Sequence, residues 1–251
     1  MGIDISKMKA KLAALQNKGG EGKTNYFKPE EGKNYSIRVV ATPDGDPFRE
    51  FWFHYDISKG GVMCPKKNFK ETCAICEFAN KLFREDTEES RKAAKKFLPR
   101  QRFFSPVLVR GEEKEGVKVW GYGKGVYGDL LGLTLNPDYG DITDPEGGTD
   151  LTIQTNKAPG QSYPMTKLTP ARKTSKLCQG TPDECRALLD SVPDLEAIHE
   201  RKTSAEVAAL LDEHLAGGSD SDAEADSTEV AYNKGKKSTS AVDAAFKELL
   251  G

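Results

Sequence analysis

The chain has 251 residues, 37% of them hydrophobic, with 37 Lys and Arg against 39 Asp and Glu for a net charge of −2. That allows one large domain or two small ones around a modest core. No apolar run nears the ~18 residues that cross a bilayer, and Lys interrupts the apolar positions of the first twenty residues, which argues against a secretory leader. A soluble, cytoplasmic protein is expected, in which clustered Cys read as metal ligands rather than disulfides.

The near-neutral balance hides an asymmetry. Residues 216–251 hold seven acids and four bases, leaving 33 bases and 32 acids in residues 1–215. Within that body, residues 91–102 carry six bases and no acid, and residues 151–182 carry five bases and no acid. Any polyanion site is therefore a local patch.

In chain order, residues 3–16 read as a short amphipathic helix. Ile5, Met8, Leu12 and Leu15 recur at helical spacing, with Lys7, Lys9 and Lys11 between them. Three Gly in "NKGGEGKTN" end it, so residues 1–24 form a basic arm outside the core. From Lys33 the pattern becomes that of strands: "KNYSIRVVA", "FREFWFHYDI", "FFSPVLVR", "VKVWGY", "DLTIQTN" and "SYPMTKL", separated by Gly, Pro and Asp. Six short strands without regularly alternating helices predict a mainly β fold, a small antiparallel barrel or sandwich with added helices.

An insertion at about 54–98 separates the second and third of these strands. It holds the cysteine cluster and then helical sequence, "CEFANKLF" and "TEESRKAAKKFL". Helices return at about 181–216. Thr181 with Glu184, and Thr203 with Glu206, have capping-box spacing, and Pro182 suits a first helical position. Residues 217–240 are poor in apolar side chains and rich in Ser, Asp and Gly, which predicts an acidic, disordered linker. Residues 241–251 regain amphipathicity, and Phe246, Leu249 and Leu250 read as a partner-binding peptide.

His54, Cys64, Cys73 and Cys76 lie within 23 residues. The two-residue gap of Cys73 and Cys76 lets two thiolates reach one ion, and Cys64 follows a Gly-Gly turn. Three thiolates and an imidazole make a closed tetrahedral zinc site, which stabilises a fold and performs no chemistry. Cys178 and Cys185 lack further ligands nearby and are expected as free thiols. A zinc deaminase needs His-x-Glu and Pro-Cys-x-x-Cys, but Asp56 and Thr72 stand at those positions. There is no HExxH, GxSxG or phosphate-binding GxxxxGK[ST], and the Gly-rich 121–128 lacks the context of a nucleotide loop. No enzymatic activity is expected.

Bases and rings interleave in the middle of the chain. Arg100, Arg102, Phe103 and Phe104 open one strand. Lys118, Trp120, Tyr122 and Lys124 lie on and after the next. Tyr163, Arg172 and Lys173 fall in the acid-free segment, and Lys66, Lys67, Lys95 and Lys96 in the insertion. Cations track phosphates and flat rings stack on unpaired bases, so these residues are the expected single-strand-binding set.

The order of these features resembles the single-stranded DNA-binding, helix-destabilising replication proteins of T-even-type bacteriophages. The basic N-terminal helix, His54 with Cys64, Cys73 and Cys76, the strands "RQRFFSPVLV" and "VKVWGYGKGVYGDLL", and the acidic tail carry the resemblance. It implies an OB-fold barrel with a zinc-bearing insertion, and a DNA cleft at Phe103, Phe104, Trp120, Tyr122 and Tyr163. It also implies cooperative self-association through the arm, and a tail that recruits replication and recombination proteins in the infected bacterial host. A zinc-ribbon interaction module of a replication or transcription complex, without strand binding of its own, is the alternative.

Overall fold

The computed structural model describes residues 25–217, apart from 59 and 162. The expectations for the basic arm (Lys7, Lys9, Lys11) and for the acidic linker and terminal peptide (Phe246, Leu249, Leu250) lie outside the described residues.

Eight strands form one mixed sheet: β1 (Tyr26–Phe27), β2 (Asn34–Val39), β3 (Arg49–His54), β4 (Val62–Met63), β5 (Arg100–Val109), β6 (Lys118–Tyr122), β7 (Thr149–Asn156) and β8 (Met165–Thr174). The main path runs β1-β6-β5-β2-β7-β8, and β3 branches from β5 carrying β4. Every pair is antiparallel except β1 with β6. Among the described residues no ladder joins β8 to β1, so strand pairing does not close the sheet.

The long β5 organises this arrangement. Its first half pairs with β3 and its last three residues with β2, while β6 runs along the opposite edge. Alternation explains what each face buries. Phe103, Val107 and Val109 join Ile37, Val39, Trp120, Tyr122, Leu151 and Ile153 in one core. Phe104 turns the other way, into a second core with Phe51, Phe53, Met63, Val119 and Leu195. Both faces of the middle of the sheet are therefore covered.

A helical lobe grows from the insertion: α1 (Pro65–Phe69), α2 (Ala74–Arg84) and α3 (Glu88–Lys96). In α2, Ile75, Phe78, Ala79 and Leu82 recur at three- and four-residue spacing and are buried together. Thr87 starts α3 through a capping box with Ser90. The lobe is not built from the insertion alone. The distant α6 (Ser204–Leu215) inserts Val207 and Leu211 into the same core. Ser204 Oγ donates to the Thr72 carbonyl at 2.7 Å, and the His214 ring meets the Phe97 ring edge-on.

Two further helices lie among the described residues. α4 (Lys124–Thr134) occupies the Gly-rich second half of "VKVWGYGKGVYGDLL", which corrects the reading of that whole stretch as one strand: the strand ends at Tyr122. Gly125, Gly128 and Gly132 each cost a helix about 1 kcal/mol relative to Ala. Burial of Val126 and Leu130, one turn apart on the sheet core, overrides that cost. α5 (Pro182–Asp190) buries no residue fully; Leu188 packs partly against Val40, Leu108, Val117 and Leu177. The free thiols expected at 178 and 185 are corrected, because Cys178 and Cys185 are disulfide-bonded. The Thr181 cap turns the chain back, bringing their Cα atoms within 5.5 Å.

A buried ionic knot ties β2 to β5, β7 and the exit of β8. Arg38, fully buried, meets Asp150 at 2.9 Å and donates to the carbonyls of Gly148 and Ser175. Arg110 binds the same carboxylate from the other side. Burial opposes ionisation of Asp150, but Arg110, Ser175 and Arg38 outweigh it and hold its pKa below the ordinary value.

Candidate metal centre and the basic surface beside it

Four elements converge on one point. His54 ends β3. The β3–β4 hairpin, with His54 opposite Val62, turns through Gly60 and Gly61, both at positive φ. The positive φ of Gly61 favours glycine, and a Cβ there would press on the Tyr55 ring at 3.0 Å. Cys64 follows as the N-cap of α1, its sulfur accepting from the Lys67 N–H, with Pro65 opening the helix. Lys70, in the left-handed region, ends that helix, and Cys73 is the N-cap of α2. Cys76 lies in the first turn of α2. Both helices thus direct N-terminal backbone dipoles, which favour negative charge, toward the sulfurs.

The ligand atoms of His54, Cys64, Cys73 and Cys76 all lie within 4.8 Å of one another, and all four residues are buried. Cys64 and Cys76 sulfurs are 3.5 Å apart. His54 Nε2 is 3.3 Å from Cys73 Sγ and 3.6 Å from Cys76 Sγ. Metal–sulfur bonds of about 2.3 Å and metal–nitrogen bonds of about 2.0 Å, set tetrahedrally, require S···S edges of about 3.8 Å and N···S edges of about 3.5 Å. These three edges match that cage within a few tenths of an ångström, and the four donors together could hold one metal ion.

The next ring of contacts fits too. His54 Nδ1 lies 2.8 Å from the Phe97 carbonyl. Donation there leaves Nε2 with its lone pair facing the sulfurs, the usual way in which a ligating imidazole is oriented. Hydrogen bonds from the Cys73 and Cys76 thiols, aided by the backbone N–H groups of Lys67 and Lys66, hold the Cys64 thiol down at about 3. The same thiol contacts, together with burial, push Cys76 strongly upward. The other two histidines lie elsewhere: His214 against Phe97, and His199 boxed by the rings of Phe51, Phe53 and Phe104.

The residues expected to contact a strand divide sharply. Phe103, Phe104, Trp120 and Tyr122 are buried, which corrects their placement on an open cleft. Trp120 is 1% exposed and lies 4.5 Å from Tyr122, whose hydroxyl is 2.6 Å from Ser105 Oγ. Phe103 stacks on Tyr127 at 3.8 Å. The alternation that correctly groups Trp120 with Tyr122 cannot show that α4 covers their face. Lys118 is also buried, held by Glu112 at 2.5 Å and Glu115 at 2.7 Å. Burial works against its charge, but the two carboxylates raise its pKa.

The remaining bases stay at the surface. Lys66, Lys67, Lys95, Lys96, Lys124, Arg172 and Lys173 are exposed, and Arg100 and Arg102 partly so. Tyr163 is 47% exposed in the β7–β8 connection. Lys124 lies on α4 and Arg172 and Lys173 on β8, apart from the helical lobe. The others run along that lobe and the β3–β5 ribbon beside it, where Arg100 pairs with Phe53 and Arg102 with Phe51. Two rings there were not in the expected set. Lys67 Nζ sits 5.1 Å from the Trp52 ring centroid, and the Arg100 guanidinium 5.9 Å from that of Tyr55. "REFWFH" shows alternating rings, but no sequence signal says which of them remains at the surface.

What fold and site define together is a mixed β-sheet protein with a helical lobe closed over a Cys3His cluster that could hold one metal ion. Comparison with protein-family models and with curated proteins found no match. Among the described residues no helix is long and apolar enough to cross a membrane.

Proposed function

We propose that this protein binds single-stranded DNA without strong sequence preference, as a replication, recombination and repair protein of a bacteriophage acting in the cytoplasm of the infected host. One structural zinc ion holds its helical lobe. The observation that carries this reading is the juxtaposition of a closed metal cluster with an exposed tract of bases and partly exposed rings. Lys66, Lys67, Lys95, Lys96, Arg100 and Arg102 lie on the lobe and its adjoining ribbon, with Trp52 and Tyr55 under two of these cations. Cations following the backbone and rings accepting bases are the chemistry of sequence-tolerant strand binding.

Zinc suits the donor set. Soft thiolates and an imidazole in a tetrahedral cage favour it, and four protein ligands leave no position for water or substrate. His54, Cys64, Cys73 and Cys76 would hold the ion, which supplies folding energy to the lobe; we assign it no catalytic step. An OB-type barrel is the finer fold we propose, supported by a long strand, β5, shared by β2, β3 and β6. The resemblance also supports cooperative self-association through Lys7, Lys9 and Lys11 and recruitment of replication and recombination proteins through the C-terminal tail.

Fluorescence anisotropy on labelled single-stranded and duplex oligonucleotides tests this. Preferential single-strand binding is expected, weakening with salt at about −0.7 in the log–log slope per phosphate contact. Absent or salt-independent binding would contradict it. Burial of Phe103, Phe104, Trp120 and Tyr122 favours the second reading, a zinc-ribbon interaction module. That reading predicts no oligonucleotide binding by metal-loaded protein.

A further inference from the structure

Trp52 is held unusually firmly for a partly exposed ring. Its backbone N–H donates to Asn68 Oδ1 at 3.0 Å, and its carbonyl accepts from Asn68 Nδ2 and from the Cys64 N–H, both at 2.8 Å. Asn68 Nδ2 also reaches the Cys64 carbonyl at 3.0 Å. Trp52 is thereby fastened to a metal-cluster residue and to α1. Its indole N–H donates to Glu50, fixing the ring edge, and part of the ring rests on the lobe core. Lys67, from the turn that Cys64 caps, lies over the ring. Gln101 stands opposite on β5 and shares the Trp52 face, whereas Arg100 and Arg102, opposite Phe53 and Phe51, project from the other face.

We infer that Trp52 is a preformed stacking platform for one unpaired base, with Lys67 as its displaceable cover and phosphate contact. This rests on the strand-binding reading above. An exposed ammonium is held on a ring more weakly than a base stacked on it. An incoming base therefore displaces Lys67 and frees its charge for the adjoining phosphate. The indole bond to Glu50 and the ring's packing on the lobe core mean that the ring does not have to be ordered on binding, which removes part of the usual entropic cost. The metal cluster, through Cys64, sets the platform without touching the ligand.

The test uses the full chain labelled with 5-fluorotryptophan, which gives two fluorine resonances, one from each Trp of the sequence. Trp52→Phe assigns them by loss of one. On addition of oligo-dT, the Trp52 resonance is expected to shift while that of buried Trp120 stays. Trp52→Phe is expected to keep affinity within about threefold, and Trp52→Ala to lose about tenfold or more. Full-affinity binding with an unmoved Trp52 resonance would overturn the platform and leave strand binding standing. Unchanged affinity in Trp52→Ala would do the same. No binding of oligo-dT by the unsubstituted protein would overturn strand binding itself, and the platform with it.

Discussion

Stripping the metal should open the helical lobe, including a helix more than a hundred residues away in sequence, and spare the sheet. α6 is held chiefly by Val207 and Leu211, both buried in the lobe core. Burying such side chains contributes about 1.5–3 kcal/mol each, so docking of α6 is worth about 3–6 kcal/mol. The Arg201–Glu71 pair is exposed and adds at most about 1 kcal/mol. Structural zinc sites contribute apparent free energies of about 10–16 kcal/mol, more than α6 can offset. Without the ion, three buried thiols and an imidazole remain in the core that α6 covers. Hydrogen–deuterium exchange with and without a strong chelator reads the outcome. Protection is expected to fall together in 64–96 and 204–215 and to persist in 100–109, 118–122 and 149–156. Retained protection of 204–215 after complete metal loss would refute the reasoning, as would simultaneous collapse of the sheet.

Three further outcomes follow from other parts of the fold. Asp150→Ala leaves Arg38 and Arg110 without their shared carboxylate and should cost about 3–5 kcal/mol in urea denaturation, whereas a loss below 1 kcal/mol would show the knot to be dispensable. His199 is neutral among Phe51, Phe53 and Phe104, burial lowering its pKa to about 4. Its unfolded value is near 6.5, so between those limits the unfolded chain binds more protons and stability falls as pH falls. The effect, about 3.4 kcal/mol for a fully buried group, reduces to about 1–2 kcal/mol with the solvent screening of a partly exposed ring; His199→Phe should flatten the melting temperature between pH 6.5 and 4. Trp120→Ala should destabilise the protein by about 3–5 kcal/mol, visible as a lowered thermal midpoint without DNA, and an unchanged midpoint would contradict its placement in the core.

Local signals in the sequence carried much of the architecture. Alternation located β2, β3, β5, β6 and β7, and the Thr181 and Thr203 capping boxes located the starts of α5 and α6. The ligand set was legible because Cys64, Cys73, Cys76 and His54 are close in sequence as well as in space. What stayed hidden depends on contacts between distant segments. α4 forms through packing on the sheet despite its glycines. α6 completes the metal lobe from across the chain. The covering of both sheet faces turned Phe103, Phe104, Trp120 and Tyr122 from expected contact residues into core, because period-two patterning gives a side chain's face and not what lies over that face. The Cys178–Cys185 bond was missed for a different reason. The expected reducing compartment argues against it, whereas the capped turn at Thr181 that brings the two together is a three-dimensional feature.

Native mass spectrometry of the full chain, alone and with oligo-dT, tests the central claim most directly, because one spectrum reports both metal and strand. The account predicts a free protein heavier than its sequence by the mass of one zinc ion, and complexes with oligo-dT that retain that ion. Metal-free protein that still binds the oligonucleotide, or zinc-loaded protein that does not bind it at all, would contradict the account.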